Sequence, residues 1–198
     1  MSGTMVNQEL KLDPAKARLS SSIAMIMALI SFSMLFATLM LGYFAFRFTS
    51  EVWPPLGMER IALALPTTST AIILLSSLFY FCFESSVTQN NLKKSKLFFF
   101  ITLALGCGFM LAQTMLWSKL QELGIFTGSS VFASMIYAFT WIHAAHVAGG
   151  IIALLFLLPT ISGKREHDKS VSWAQNVGQY WHFLGVVWMI MYFSLFVF

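Results

Sequence analysis

Charge is scarce in this 198-residue chain: only 10% of its residues are Asp, Glu, Lys or Arg. A soluble domain carries about 25%. With 58% of residues hydrophobic, too few polar groups remain to cover a water-facing surface. The charges are also unevenly spread. The 12 basic and 8 acidic residues form short clusters that leave five charge-free runs: Leu19–Phe46, Ile61–Phe83, Leu97–Ser118, Leu123–Gly163 and Ser170–Phe198. Each exceeds the roughly 20 apolar residues needed to cross about 30 Å of hydrocarbon.

Carboxylates are missing from the interiors of those runs. Glu9, Asp13, Glu51, Glu59, Glu122, Glu166 and Asp168 fall in the tail or in loops, and Glu84 ends the second run. Intramembrane ionisable groups mark ion pathways and proton relays, so a self-contained pump or ion-coupled transporter is disfavoured. A hydrolase is disfavoured too, since no nucleophile–base–carboxylate set stands at membrane depth. Cysteine is equally sparse. Cys82 and Cys107 fall about 15 Å apart in depth on their predicted helices, too far for a disulfide, and read as small buried residues. The first run lacks a small-residue cleavage site and is too long for a signal peptide, so it reads as a retained helix.

What is present is helical. The long fourth run opens with the turn-forming stretch Gly124–Ser130 and closes at Pro159, leaving one helix between. The fifth opens with the polar stretch Val171–Gly178, which moves its expected helix toward the C-terminus. The expected fold class is all-α: a polytopic membrane protein of five transmembrane helices, at about 22–46, 61–83, 97–117, 131–158 and 179–197. Residues 1–20 form a tail, and 21–198 a single transmembrane domain. Lys11, Lys16, Arg18, Lys93, Lys94, Lys96, Lys164, Arg165 and Lys169 fall on one side, against Arg47, Arg60 and Lys119 on the other. The positive-inside rule then puts the N-terminus in the cytoplasm and the C-terminus in the periplasm. Trp53 and Trp117 fall where outer interfacial anchors belong.

Two patterns within the helices carry chemistry. Ala104, Gly108 and Ala112, and likewise Ala145, Gly149 and Ala153, are stripes that let helix backbones approach closely, either within the bundle or against a partner. His143 and His146 share a helix face, and His182 lies on the next helix. Three imidazoles could hold zinc, copper or haem. However, no Cys, Asp or Glu stands nearby to complete or orient such a site, and two histidines one turn apart cannot clasp a haem between them. Interhelical hydrogen bonds, or contacts with lipid and partner groups, are the favoured reading.

In chain order, the motifs resemble those of subunit III of the haem–copper respiratory oxidases in its shorter five-helix bacterial form. Trp53-Pro54-Pro55 with Gly57 is similar to the family's Trp-Pro-Pro-x-Gly loop. Leu65-Pro66-Thr67-Thr68-Ser69 followed by Leu74-Leu75-Ser76-Ser77 resembles its Leu-x-Asn-Thr…Leu-Leu-x-Ser segment. Gln113 with Trp117 sits where the family has Gln-x-x-Glu-Trp. The segment from Ile136 through His143 and His146 to Val147 resembles Phe-Tyr-x-Leu-Thr-Gly-Phe-His-Gly-x-His-Val. Tyr180-Trp181-His182-Phe183 with Val187-Trp188 resembles Tyr-Trp-His-Phe-Val-Asp-x-Val-Trp. Three family carboxylates are replaced: Phe32, Leu116 and Gly185 stand where the pattern has acidic residues.

The resemblance implies a non-catalytic subunit of a proton-pumping terminal oxidase in a bacterial inner membrane, with cytochrome c oxidase ahead of quinol oxidase. Haem and copper would sit in the partner catalytic subunit, and this chain would hold no redox centre and no active site. The implied partners are oxidase subunits I and II, phospholipid, and other respiratory complexes in a supercomplex. Trp53, Gln113, His143, His146, Trp181 and His182 are the expected lipid or subunit-interface residues. The three missing carboxylates put a supporting role in proton uptake in question. Rival readings are the accessory protein of nitric oxide reductase, a small membrane transporter and, with least support, a haem-binding electron carrier.

Overall fold

A computed structural model describes residues 14–51 and 63–197. Its elements are all helical: α1 (Pro14–Thr49), α2 (Ala64–Thr88), α3 (Leu92–Glu122), α4 (Val131–Leu155), α5 (Leu158–Ile161) and α6 (His167–Tyr192), which ends in a π-helical turn (Phe193–Val197). They supply five segments long and apolar enough to cross a membrane, the fourth built from α4 and α5 together.

The helices run further than the charge-free runs. Three lysines, Lys93, Lys94 and Lys96, belong to the first turns of α3, whose start is set by Asn91: its side chain accepts the Lys94 N–H at 3.2 Å. Such a cap satisfies an N–H that the helix itself cannot, and lysine stems can reach out of the apolar zone. Ser130 caps α4 in the same way, accepting the Ala133 N–H at 3.0 Å. The largest departure is in α6, which begins at His167 rather than near residue 179. Its polar first half is helical because Ser170, Ala174, Asn176 and Gly178 are buried against neighbouring helices. The fourth span breaks after Leu155, where Pro159 has no N–H to continue the ladder. Pro66 is tolerated in the first turn of α2, where an N–H would have no partner anyway.

Helices α2, α3, α4 and α6 form a closed ring, with α2 against α3, α3 against α4, α4 against α6 and α6 back against α2. Trp181 of α6 is the residue all four share. Its indole is 1% exposed, and a Cβ placed on Gly106 of α3 would lie 2.9 Å from its Cη2. One placed on Gly150 of α4 would lie 3.0 Å from its Cζ3. Trp181 Nε1 donates to Ser76 Oγ of α2 at 3.1 Å, and that hydroxyl donates onward to the Thr102 carbonyl of α3 at 3.2 Å. Only glycine leaves room for a ring this large at two facing positions, and the one polar atom of the ring is satisfied as burial requires. Helices α2 and α6 are further joined by Tyr80 Oη donating to the Ala174 carbonyl (2.7 Å) and Trp188 Nε1 donating to Thr70 Oγ1 (3.0 Å).

Helix α1 stands outside the ring, against α6. Only 6% of its most apolar window is buried within the chain, compared with 33–39% for the other four spans.

Candidate functional site

Two of the sequence-derived candidates, His143 and His146, lie along a seam where α1 meets α4 and α6. His143 is fully buried in a box of rings: Phe109 of α3 at 5.8 Å, Trp188 of α6 at 5.3 Å and Phe36 of α1 at 6.1 Å between centroids. His146, one turn on, has Phe32 edge-on at 4.5 Å and Phe36 at 5.6 Å. Its Nδ1 lies 2.7 Å from the Ile142 carbonyl of its own helix. Tyr180 closes the seam from α6, donating its hydroxyl to the His146 carbonyl at 2.9 Å, with its ring 5.9 Å from Phe32.

Two of these buried side chains are polar and lack a partner. Both ring nitrogens of His143, and both amide atoms of the fully buried Gln113, make no hydrogen bond to the described residues. Gln113 lies one turn along α3 from Phe109, the ring that touches His143. Leaving such groups unbonded costs about 1–3 kcal/mol each. The chain therefore keeps polarity here that its own packing does not require.

Of the six candidates, Trp53 lies outside the described residues, as does the rest of the Trp53-Pro54-Pro55 loop. Gln113, His143 and Trp181 are enclosed by the chain's own helices, so the groups touching them in this chain are its own side chains. His146 is half-buried at the α1 seam. His182 is half-buried on the opposite side of α6, hydrogen-bonded through Nδ1 to Ser77 of α2, with Tyr80 at 5.7 Å. His182 is thus the one histidine of the three with an interhelical side-chain bond among those described. The imidazoles do not converge, and no group of three or more His, Cys, Asp or Glu able to hold a metal occurs among the described residues. Cys82 and Cys107 are free thiols, and neither is buried as expected: Cys82 is half-buried and Cys107 faces outward. Trp117 is half-buried: its Nε1 donates to Thr140 Oγ1 at 3.0 Å, and its ring stacks on the exposed Trp141 at 4.7 Å between centroids.

The three acid-replacing positions have apolar or open surroundings. Phe32 supplies the ring against His146. Leu116 is buried in a cluster with Leu120, Ile125, Phe132 and Ile136, where a carboxylate would have apolar neighbours. Gly185 is buried, and a Cβ placed on it would meet nothing within 4 Å. Sequence patterning missed the residues that hold α1 in place. Tyr43 donates to the Ser194 carbonyl at 2.8 Å, Arg47 Nη1 donates to Tyr43 Oη at 3.1 Å, and Asn176 Nδ2 donates to Ser21 Oγ at 2.7 Å. Arg47 and Tyr43 stand four apart on one face of an otherwise apolar helix, a signal that could have found them.

Comparison with known protein families matches residues 15–198 to the family described as Cytochrome c oxidase subunit III. Among curated relatives, the cytochrome c oxidase subunit 3 of Thermostichus vulcanus is 29% identical over 180 residues, covering 88% of this chain and 86% of that protein. The corresponding protein of a Synechocystis species is 27% identical over 168 residues, with 84% and 71% covered. The probable cytochrome c oxidase subunit 3 of Nocardia farcinica is 30% identical over 177 residues, with 88% and 86% covered.

Proposed function

Because this multi-pass membrane chain belongs to the cytochrome c oxidase subunit III family, we propose that it is the non-catalytic third subunit of a bacterial terminal oxidase. In this reading it packs against the catalytic subunit through its first helices, holds phospholipid between helices, and leaves haem and copper to its partners, subunits I and II. The Lys- and Arg-rich ends of the helices face the cytoplasm. Cytochrome c is the donor that the relatives' names favour over quinol. With Phe32, Leu116 and Gly185 in place of carboxylates, packing is the route by which the chain supports turnover in this reading, and a supporting role in proton uptake is in question.

The observation that carries this reading is the uncovered first helix. Met34, Leu41 and Phe48 are 67%, 72% and 80% exposed to whatever surrounds the chain, and α1 is fastened to α6 by few contacts. Contiguous apolar surface beyond the needs of a single chain marks an interaction site. A photo-crosslinking residue at Met34 or Leu41 is expected to capture the catalytic subunit in the membrane, and one at Ile152 of α4 to capture only lipid. Purification of the tagged chain in mild detergent should bring haem absorbance with it, and that absorbance should leave when the chain is separated. A haem-free chain that purifies alone and moves a solute in liposomes would overturn the proposal in favour of a transporter.

A further inference from the structure

Two cross-contacts set how α3 lies against α4. Trp117 Nε1 donates to Thr140 Oγ1 at 3.0 Å, and a Cβ placed on Gly106 would lie 3.6 Å from Ile151 Cγ1. Helix α3 therefore runs antiparallel to α4, and Gln113, one turn in from Trp117, is level with Ala144, the chain neighbour of His143. The helix face agrees with the level. Phe109 and Trp117 stand one turn to either side of Gln113 on α3, and they touch His143 and Thr140 of α4. Gln113 thus lies between the two α3 side chains that reach His143 and the turn before it. This is the middle of α4: His143 is about 18 Å from Val131 and from Leu155 at 1.5 Å per residue.

The polar side chains around His143 are engaged elsewhere. Trp188, with its ring 5.3 Å away, gives its N–H to Thr70. Thr140 accepts from Trp117 and donates to the Ile136 carbonyl at 2.8 Å. His146 has its Nδ1 against the Ile142 carbonyl at 2.7 Å. Phe36 and Phe109 present only apolar rings. What is left are the two nitrogens of His143 and the two amide atoms of Gln113, on residues that are both 0% exposed. An amide alone does not complete this set: a neutral imidazole carries a donor nitrogen and an acceptor nitrogen at separate ring positions, and one amide reaches one of them. A water molecule both donates and accepts, and protein interiors hold one where a few otherwise unbonded polar groups converge.

We propose that Gln113 and His143 bind water between α3 and α4, in an internal hydration site at mid-bilayer depth that joins the two helices through the amide and the imidazole. The ring presents one nitrogen to the water, and Gln113 presents the complementary end of its amide, so a turn of the amide serves either histidine tautomer. The bridge adds a second polar link between α3 and α4 beside the bond from Trp117 to Thr140. Phe36 of α1, itself 5% exposed, covers it from the seam side. The site is built from this chain alone, and it does not depend on which complex the chain joins.

The test uses the full chain, isotope-labelled at histidine and glutamine, in lipid bilayers, and the probe is water itself. Solid-state NMR with magnetisation that starts on water protons reads which side-chain nitrogens lie against water. Loss of signals in His143→Phe and Gln113→Met assigns the two residues, and the exposed His167 reports contact with bulk water. In wild type, the His143 ring and the Gln113 amide are both expected to receive magnetisation at mixing times too short for it to spread through the surrounding rings. Gln113→Met keeps the length of the side chain and removes its polar end, so it should abolish transfer to His143 and leave transfer to His167 unchanged. A wild-type chain in which His167 receives magnetisation while His143 and Gln113 do not would overturn the proposal, and this reading needs no variant to fold. A direct contact between the Gln113 amide and the His143 ring, without transfer from water, would overturn it too. So would transfer to His143 that persists undiminished in a helical Gln113→Met chain.

Discussion

Helix α1 is more apolar than the spans of the ring of α2, α3, α4 and α6, yet it is the less firmly held. The ring closes around one tryptophan, with two glycines giving it space and a serine taking its N–H. Helix α1 is attached by a few rings and a few hydrogen bonds, and most of its surface is open. In lipid, apolar surface alone draws no helix to another, because the tails are as apolar as leucine. What separates a packed span from a loosely attached one is therefore shape and polar pairing. The ring has both, and α1 has enough only to mark where it docks.

That contrast can be broken most severely at its centre. Trp181→Ala empties a site shared by four helices and should cost about 3–5 kcal/mol, read as a large drop in the midpoint of denaturation in detergent. Next come the glycines that crowd the ring's neighbours. Gly106→Ala and Gly150→Ala each drive a methyl into the indole, and Gly178→Ala drives one toward Tyr80 Cε1 at 2.8 Å. Each should cost about 1–3 kcal/mol, and the same unfolding assay checks it. On the α1 side, Tyr43→Phe removes the bond to the Ser194 carbonyl and should cost only about 1 kcal/mol. Its sharper signature is hydrogen exchange that quickens along α1 while α3 and α4 stay protected. The smallest effect belongs to Gly185→Ala, whose methyl enters open space and should shift stability by less than about 0.5 kcal/mol. A loss as large as that of Gly106→Ala would show that the hollow beside Gly185 is not open.

The five spans were legible because a charge is costly in hydrocarbon, so the charge clusters punctuate the chain. The helix ends were less legible for the same reason. Hydropathy marks where lipid tolerates a side chain, whereas α3 begins where Asn91 can cap it, and α6 begins where Ser170 and Asn176 find protein instead of lipid. The small-residue stripes show a similar limit. Spacing by four selected Ala104, Ala145 and Gly149, which face outward, whereas the close approaches occur at Gly106 and Gly150. A period finds a helix face but not which face is used; the size of the residue opposite decides that, and the sequence does not say which residue is opposite. The histidine motifs were recognised as a pattern, and their separation into a ring-boxed His143, a seam-edge His146 and a serine-bonded His182 depends on which helices become neighbours.

Tyr43 and Ser194 are 151 residues apart, and Ser21 and Asn176 are 155 apart. The partners that fasten α1 are therefore on the helix that leaves the ribosome long after it. Until then α1 resides in the bilayer with its polar anchors unengaged, and Gly106 and Gly150 flank a slot that only Trp181 fills. Synthesis interrupted before α6 yields spans that can insert but cannot lock. The last span thus supplies the contacts that both close the ring and seat α1.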